Sequence, residues 1–321
     1  MKISPHKQKN QRTTWPMRWT IKMIVKELRY ALYLYVYLLK RKKVRKEPLV
    51  RLDEKGQVSP DYTKPVCLFC SYDYENIVRK NVYQYLDALA LAGFNIIFIS
   101  SSDDISVLDL EKLSRCCVRI INRENKGYDF YGWKTGLEKY PRYKDHTGLL
   151  LANDSVIGPL FSISDIVTTL ENCDADVIGM TDSFKFHPHL QSYFLYCKKN
   201  VVLSEEFLRF FKEVDILELK AAIIRRYEVG FSKFLGHRFC VFPLYGLDRI
   251  AQVDYHQRIP REIEPTFHLW QPLITEFKFP FIKKSNLTRK GVSLEAFSAA
   301  LVESDSPYNL DILNDWSVPH R

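Results

Sequence analysis

From residue 66 onward, short apolar runs alternate with longer amphipathic stretches. Residues 66–71 form an uninterrupted apolar run, which predicts a buried strand. Residues 76–92 carry Ile77, Val82, Tyr85, Leu86, Leu89 and Ala90 at helical spacing and close on Gly93, which predicts a helix. Further strands are predicted at 94–100, 117–121, 148–152 and 175–180. Helices are predicted between them at 109–113, 131–140 and 164–171. Such alternation predicts an α/β domain with a mainly parallel sheet and helices on both faces. Ligands of such sheets sit at the carboxyl ends of the strands. After Ser192 the pattern is mixed, with a strand predicted at 193–197, helices at 204–212 and 216–234, and an irregular Pro-containing end.

The start of the chain follows a different pattern. Ile21, Ile24, Val25, Leu28, Leu32, Tyr35 and Leu39 share one helical face, but Lys22, Lys26 and Arg29 interrupt it. The unbroken apolar run, 30–39, covers only ten residues, whereas a spanning helix needs about 20, so no transmembrane segment is expected. Lys40, Arg41, Lys42, Lys43, Arg45 and Lys46 follow at once. An amphipathic, Tyr-rich helix beside a basic cluster reads either as an anchor lying on an anionic membrane surface or as a helix docked on protein. The charge supports a division of the chain here. Residues 1–47 hold 14 Lys and Arg against Glu27 and Glu47, a net of +12. The whole chain of 321 residues is +9, so the remainder carries 9 − 12 = −3. A basic arm on a slightly acidic body gives no footprint for nucleic acid. The expected organisation is thus a basic arm (1–47), a polar linker containing Gly56 and Pro60 (48–64), a large α/β domain (65–290) and a C-terminal extension (291–321).

The seven cysteines are odd in number and scattered. The Cys67-Leu-Phe-Cys70 pair lies in a predicted strand, which would point its thiols to opposite faces. Buried structural thiols in a reducing cytoplasm are expected, and no signal peptide is visible.

Four segments can carry chemistry. Ser71 and Asp73 follow the strand at 66–71 and can contact a ligand or cap the next helix. The segment 122–137 contains Arg123 and Lys126, suited to phosphates, Gly127, which lets backbone approach a ligand, and Asn125 and Asp129, suited to a sugar or base. The strand at 148–152 empties into Asn153-Asp154-Ser155, a shelf on which one carboxylate and substrate phosphates can hold Mg²⁺ or Mn²⁺. Past the strand at 175–180 come Asp182, His187, His189 and Gln191. No further His/Cys pair stands at zinc spacing, so His189 and Gln191 read as hydrogen-bonding groups for a hydroxylated substrate. Glu228, before Gly230, is either a surface acid or a general base.

These stretches resemble the rhamnan synthesis protein F family of bacterial rhamnosyltransferases. The resemblance rests on Asn125-Lys-Gly-Tyr-Asp129-Phe, Leu-Leu-Ala-Asn153-Asp154-Ser155-Val-Ile-Gly-Pro159, His189-Leu-Gln-Ser-Tyr-Phe194, Tyr227-Glu-Val-Gly-Phe-Ser232 and Pro280-Phe-Ile-Lys283, in that order. It implies a GT-A-like, mainly parallel sheet flanked by helices, preceded here by the amphipathic basic helix. It implies dTDP-β-L-rhamnose as donor, a lipid-linked glycan as acceptor and inversion at the anomeric carbon, while the scattered thiols and the basic arm suggest a cytoplasmic location at the inner face of the cell membrane. The donor would lie on Ser71, Asp73, Arg123, Asn125, Gly127, Asp129, Asn153, Asp154 and Ser155, and the acceptor beside His189 and Gln191. Glu228, or Asp182 in second place, would be the base. Mg²⁺ or Mn²⁺ would sit on Asp154, with His268 of Pro265-Thr-Phe-His268-Leu-Trp270 as a second contact. Two departures stand out. The family's DxD position reads Asn153-Asp154-Ser155, with one carboxylate, and its Glu-Asp pair reads Glu228-Val229. Another hexose donor, or a non-catalytic scaffold of the same fold, therefore remains compatible with these residues.

Overall fold

The structure is a computed structural model. It describes residues 25, 28–29, 31–33, 35–37, 50–217, 219–251, 263–288 and 291–315. The chain divides into two units, Met1–Pro48 and Leu49–Arg321. In the first unit the described residues between 25 and 37 are helical, as the apolar spacing predicts. The basic cluster at 40–46 lies outside the described residues. Among the described residues no helix is long and apolar enough to cross a membrane.

The second unit is built on a mixed sheet. Its strands are β1 (Val50–Lys55), β2 (Val66–Ser71), β3 (Asn95–Ser100), β4 (Arg119–Arg123), β5 (Gly148–Asn153), β7 (Val177–Ser183), β9 (Phe194–Lys198) and β10 (Val241–Tyr245), with the short β8 (His189–Leu190) paired to β7. The order across the sheet is β1-β4-β3-β2-β5-β9-β7-β10. Strands β4, β3, β2 and β5 run parallel, β9 is antiparallel to both β5 and β7, and β10 is parallel to β7. Two further segments, β6 (Val156–Ile157) and β11 (Ile282–Lys283), form a separate antiparallel pair.

Strands β2, β3, β5 and β7 are buried on both faces, so their residues read as continuous apolar runs. Cys67, Phe69, Ile96 and Phe98 pack with Val82, Leu86 and Leu89 of α1 (Lys80–Leu91) and Leu113 of α2 (Val107–Cys116). The opposite face carries α3 (Tyr128–Lys139), whose glycines let it lie close to the sheet. A Cβ at Gly136 would stand 2.6 Å from the Ile99 side chain, and one at Gly132 would stand 2.7 Å from Cys70 Sγ. Trp133 is buried there, and its indole N–H donates to the Ala152 carbonyl at 3.2 Å. Cys67 and Cys70 thus point to opposite faces, both buried, and burial raises both thiol pKa values well above the usual range.

Three expectations are corrected. Residues 48–64 are not all linker, because Val50–Lys55 pairs with β4 as an edge strand. Its outward charges mask the alternation and blunt the exposed edge, while Asp53 pairs with Arg119 at 2.6 Å. The predicted helix at 216–234 is broken: Lys220–Ile223 passes into a π-turn, Ile224–Glu228, before α-helix resumes at Val229–Leu235. Residues 291–315 are not an appendage. Phe297 and Leu301 of the helix Leu294–Glu303 pack with Ile157, Leu160, Ile274 and Ile282 in a second core.

Candidate active site

Strands β2, β3, β4 and β5 all end at the same edge, and the residues just beyond them meet there. Asp154 follows β5. Its Oδ2 accepts from the Ser71 hydroxyl at 3.0 Å and from the Tyr72 amide at 3.2 Å, and the Lys284 ammonium stands 3.6 Å away. Asn153 acts as a bracket rather than a free ligand. Its amide nitrogen donates to Asp129 Oδ2 (3.1 Å) and to the Ser192 carbonyl (3.4 Å), and its Oδ1 accepts from the Ser155 amide and hydroxyl. Ser192 in turn donates through its backbone N–H (2.8 Å) and its hydroxyl (3.1 Å) to Glu228 Oε1. One network therefore joins Asp129, Asn153, Ser192 and Glu228. Glu228 ends the π-turn, and such insertions recur at functional positions.

The electrostatics follow from this crowding. Asp129 titrates at about 7, raised mainly by burial, then by Asp154 and Glu228, while Arg123 and Lys283 oppose the rise. Lys283 is drawn down by burial, with Glu228, Glu264 and Asp129 opposing. Sequence reasoning gave Lys283 and Lys284 no role, although Lys283 closed one of the quoted motifs. They reach the site through the β6–β11 pairing: Lys283 stands opposite Val156, and the Lys284 amide donates to the Ser155 carbonyl at 2.9 Å.

Several expected ligands have other work. Arg123 is 2% exposed, and its guanidinium donates to the carbonyls of Glu124, Lys126 and Tyr128 at 2.6–2.8 Å. These bonds brace the loop. Gly127 (φ 78°) and Tyr128 (φ 54°) are both left-handed in that loop, and a Cβ at Gly127 would stand 2.7 Å from the Tyr131 Cβ. Asn125 is exposed beside them. Asp73 is 8% exposed and bound by Arg79 through two contacts, at 2.7 and 3.1 Å. Gln191 is likewise internal, because its side-chain oxygen accepts from the hydroxyls of Thr181 (2.7 Å) and Thr266 (3.2 Å). His189 is buried, with Nδ1 2.7 Å from the His187 carbonyl, which leaves Nε2 as the acceptor nitrogen. Asp182 accepts from the Leu247 amide at 2.8 Å and titrates at about 6, raised chiefly by burial against that hydrogen bond.

The residues present do not form a cage for a resident divalent cation. Among the described residues no three His, Cys, Asp or Glu side chains come together as a metal site. His268 is exposed on a short helix, with Nδ1 accepting from the Glu264 amide at 2.9 Å. Beside Asp154, the only acid of the shelf, stands the Lys284 ammonium, 3.6 Å from Oδ2.

One solved structure that this chain is similar to is the bifunctional glycosyltransferase WbbM, at a TM-score of 0.41 and 11% identity, over 92% of this chain and 60% of that one. Among curated sequences, virulence protein VirA of Vibrio anguillarum is 30% identical over 254 residues, covering 70% of this chain and 79% of VirA. Protein y4gN of Sinorhizobium fredii is 28% identical over 225 residues; the match covers 67% of this chain and 58% of the length of y4gN. The rhamnan synthesis protein F model matches residues 96–318. The chain belongs to that family.

Proposed function

We propose that the chain is an inverting glycosyltransferase of cell-surface polysaccharide assembly, with L-rhamnose from dTDP-rhamnose as the first donor to test and a lipid-linked glycan as acceptor. The observation that carries this reading is the Glu228 carboxylate. One of its oxygens is fixed by two Ser192 donors, within a network that reaches Asp129 and the shelf at Asn153-Asp154-Ser155. A carboxylate held this way has a second oxygen left to accept a proton. In the step we infer, the acceptor hydroxyl oxygen forms a bond to the anomeric carbon as its proton passes to Glu228. The bond from that carbon to the diphosphate oxygen breaks, and its electron pair leaves with the nucleoside diphosphate. Base assistance of this kind is worth about 10²–10⁴-fold. Tyr72 and Tyr128, both about half exposed beside the crevice, offer flat apolar rings on which a nucleobase can stack. The divalent ion that the resemblance implies enters no step of this reading.

The basic arm supplies location in this account. Each Lys or Arg near an anionic leaflet contributes roughly 1 kcal/mol, so residues 1–47 would hold the enzyme where lipid-carried acceptors are presented. Full-length protein is expected to co-sediment with phosphatidylglycerol vesicles and a 48–321 truncation is not; equal sedimentation of both would remove the arm from the account. Activity itself is tested with a panel of dTDP-, UDP- and GDP-sugars and extracted glycolipid acceptors, followed by mass spectrometry. Transfer from dTDP-rhamnose supports the reading, and transfer only from another sugar replaces the donor.

A further inference from the structure

The β6–β11 pairing holds a lysine in an unusual position. Ile282 is 1% exposed and belongs to the second core. Successive strand residues point to opposite faces, so Lys283 turns the other way, toward Asp129, Glu228 and Glu264, whose charges it feels. Its ammonium lies 4.8 Å from the Tyr193 ring centroid. Among the described residues it has neither a hydrogen bond nor an ion pair. A half-buried ammonium over a ring, without an ion pair, is placed to take an incoming anion. The neighbouring cation, Lys284, stands against Asp154 on the other side of the Ser155 carbonyl that its own amide binds.

We propose that Lys283, supported by Lys284, contacts the donor diphosphate and carries the charge of the leaving group in place of a divalent ion. This rests on the transferase reading above. As the bond to the anomeric carbon breaks, the nucleoside diphosphate gains one negative charge on the departing oxygen. A fixed ammonium stabilises that charge more in the transition state than in the ground state. The lysines are placed for this by backbone pairing to the very segment that carries Asp154, so the cations and the shelf keep their spacing.

The test is dTDP binding to the full chain by titration calorimetry, once with EDTA and once with MgCl₂. Binding is expected in EDTA, and magnesium should change it by less than about threefold. Lys283→Ala is expected to weaken dTDP by roughly 10- to 100-fold, the range for loss of a charge-assisted contact. Lys283→Arg should recover most of the affinity, which a purely structural role of the lysine would not produce. Thermal melts check that the variants fold, and if Lys283→Ala does not, the EDTA comparison on the natural chain decides alone. Binding that requires magnesium, or that is unchanged in a folded Lys283→Ala, overturns the lysine assignment and leaves the transferase reading standing. Failure to bind dTDP, UDP or GDP under either condition overturns both.

Discussion

Replacing Arg123 separates two accounts of the loop 124–128. If the guanidinium braces the loop, its loss costs stability; if it grips phosphate, its loss costs affinity. Arg123→Met keeps the apolar stem and removes the donors to three carbonyls. Charge-assisted bonds are worth about 1.5–3 kcal/mol each, a gross loss of roughly 4.5–9 kcal/mol. Two effects reduce it. Desolvating a guanidinium costs several kcal/mol, and burial does pull the Arg123 pKa down. The carbonyls of Glu124 and Lys126 belong to half-buried residues and can turn to water. A net loss of about 2–4 kcal/mol is expected, in the range for breaking a buried polar network. Urea unfolding with an unchanged m-value measures it, and dTDP titration at a urea concentration well below the transition reports affinity. A stability loss below about 0.5 kcal/mol, accompanied by collapse of dTDP binding, would refute the bracing role and restore Arg123 as a phosphate ligand.

Three other perturbations bear on the site. Asp129 holds its proton up to about pH 7 in the folded chain, whereas an ordinary Asp releases it near pH 4. Between those values the folded state binds more protons than the unfolded one, so stability falls as pH rises, by at most about 1.4 kcal/mol per unit; Asp129→Asn should flatten that slope in urea melts taken from pH 4.5 to 7. Gln191→Ala strands the Thr266 hydroxyl, while that of Thr181 keeps the Tyr193 hydroxyl at 2.7 Å, and should cost roughly 1–3 kcal/mol while leaving the acceptor KM unchanged; a KM effect in a stable variant would return Gln191 to the acceptor site. Gly132→Ala presses a methyl group onto Cys70 Sγ at 2.7 Å and should lower stability by about 1–3 kcal/mol in chemical denaturation.

The parts of this molecule that could be read from its chain are those in which local pattern and tertiary role coincide. Strands such as β2 and β5 are apolar throughout because both faces are covered, and their ends were placed to within a residue or two. Strand β1 escaped notice because an edge strand shows charge outward and only partly buried Val50 and Leu52 inward. The π-turn at Ile224–Glu228 has the composition of ordinary helix; its extra residue per turn is a backbone event without a residue signature. At the site, the structure brings Asp154 and Glu228 near enough to Asp129 to raise its pKa. Composition could not show which polar groups face outward and which brace the frame, so Arg123, Asp73 and Gln191 read as ligands although their hydrogen bonds are internal. Lys283 was hidden for the converse reason. A two-residue strand pairing across more than a hundred residues is set by tertiary packing alone, and it brings a lysine to a shelf with which its local sequence has nothing in common.

The most direct test of the central claim is turnover by the full chain and by Glu228→Gln, with dTDP-rhamnose and a rhamnose-terminated acceptor, followed by NMR of the new anomeric centre. The account expects an α-rhamnoside from the natural chain, and a kcat lower by about 10²–10⁴-fold in the variant, with dTDP affinity within twofold. Equal turnover by both proteins, or a product of retained configuration, would contradict it.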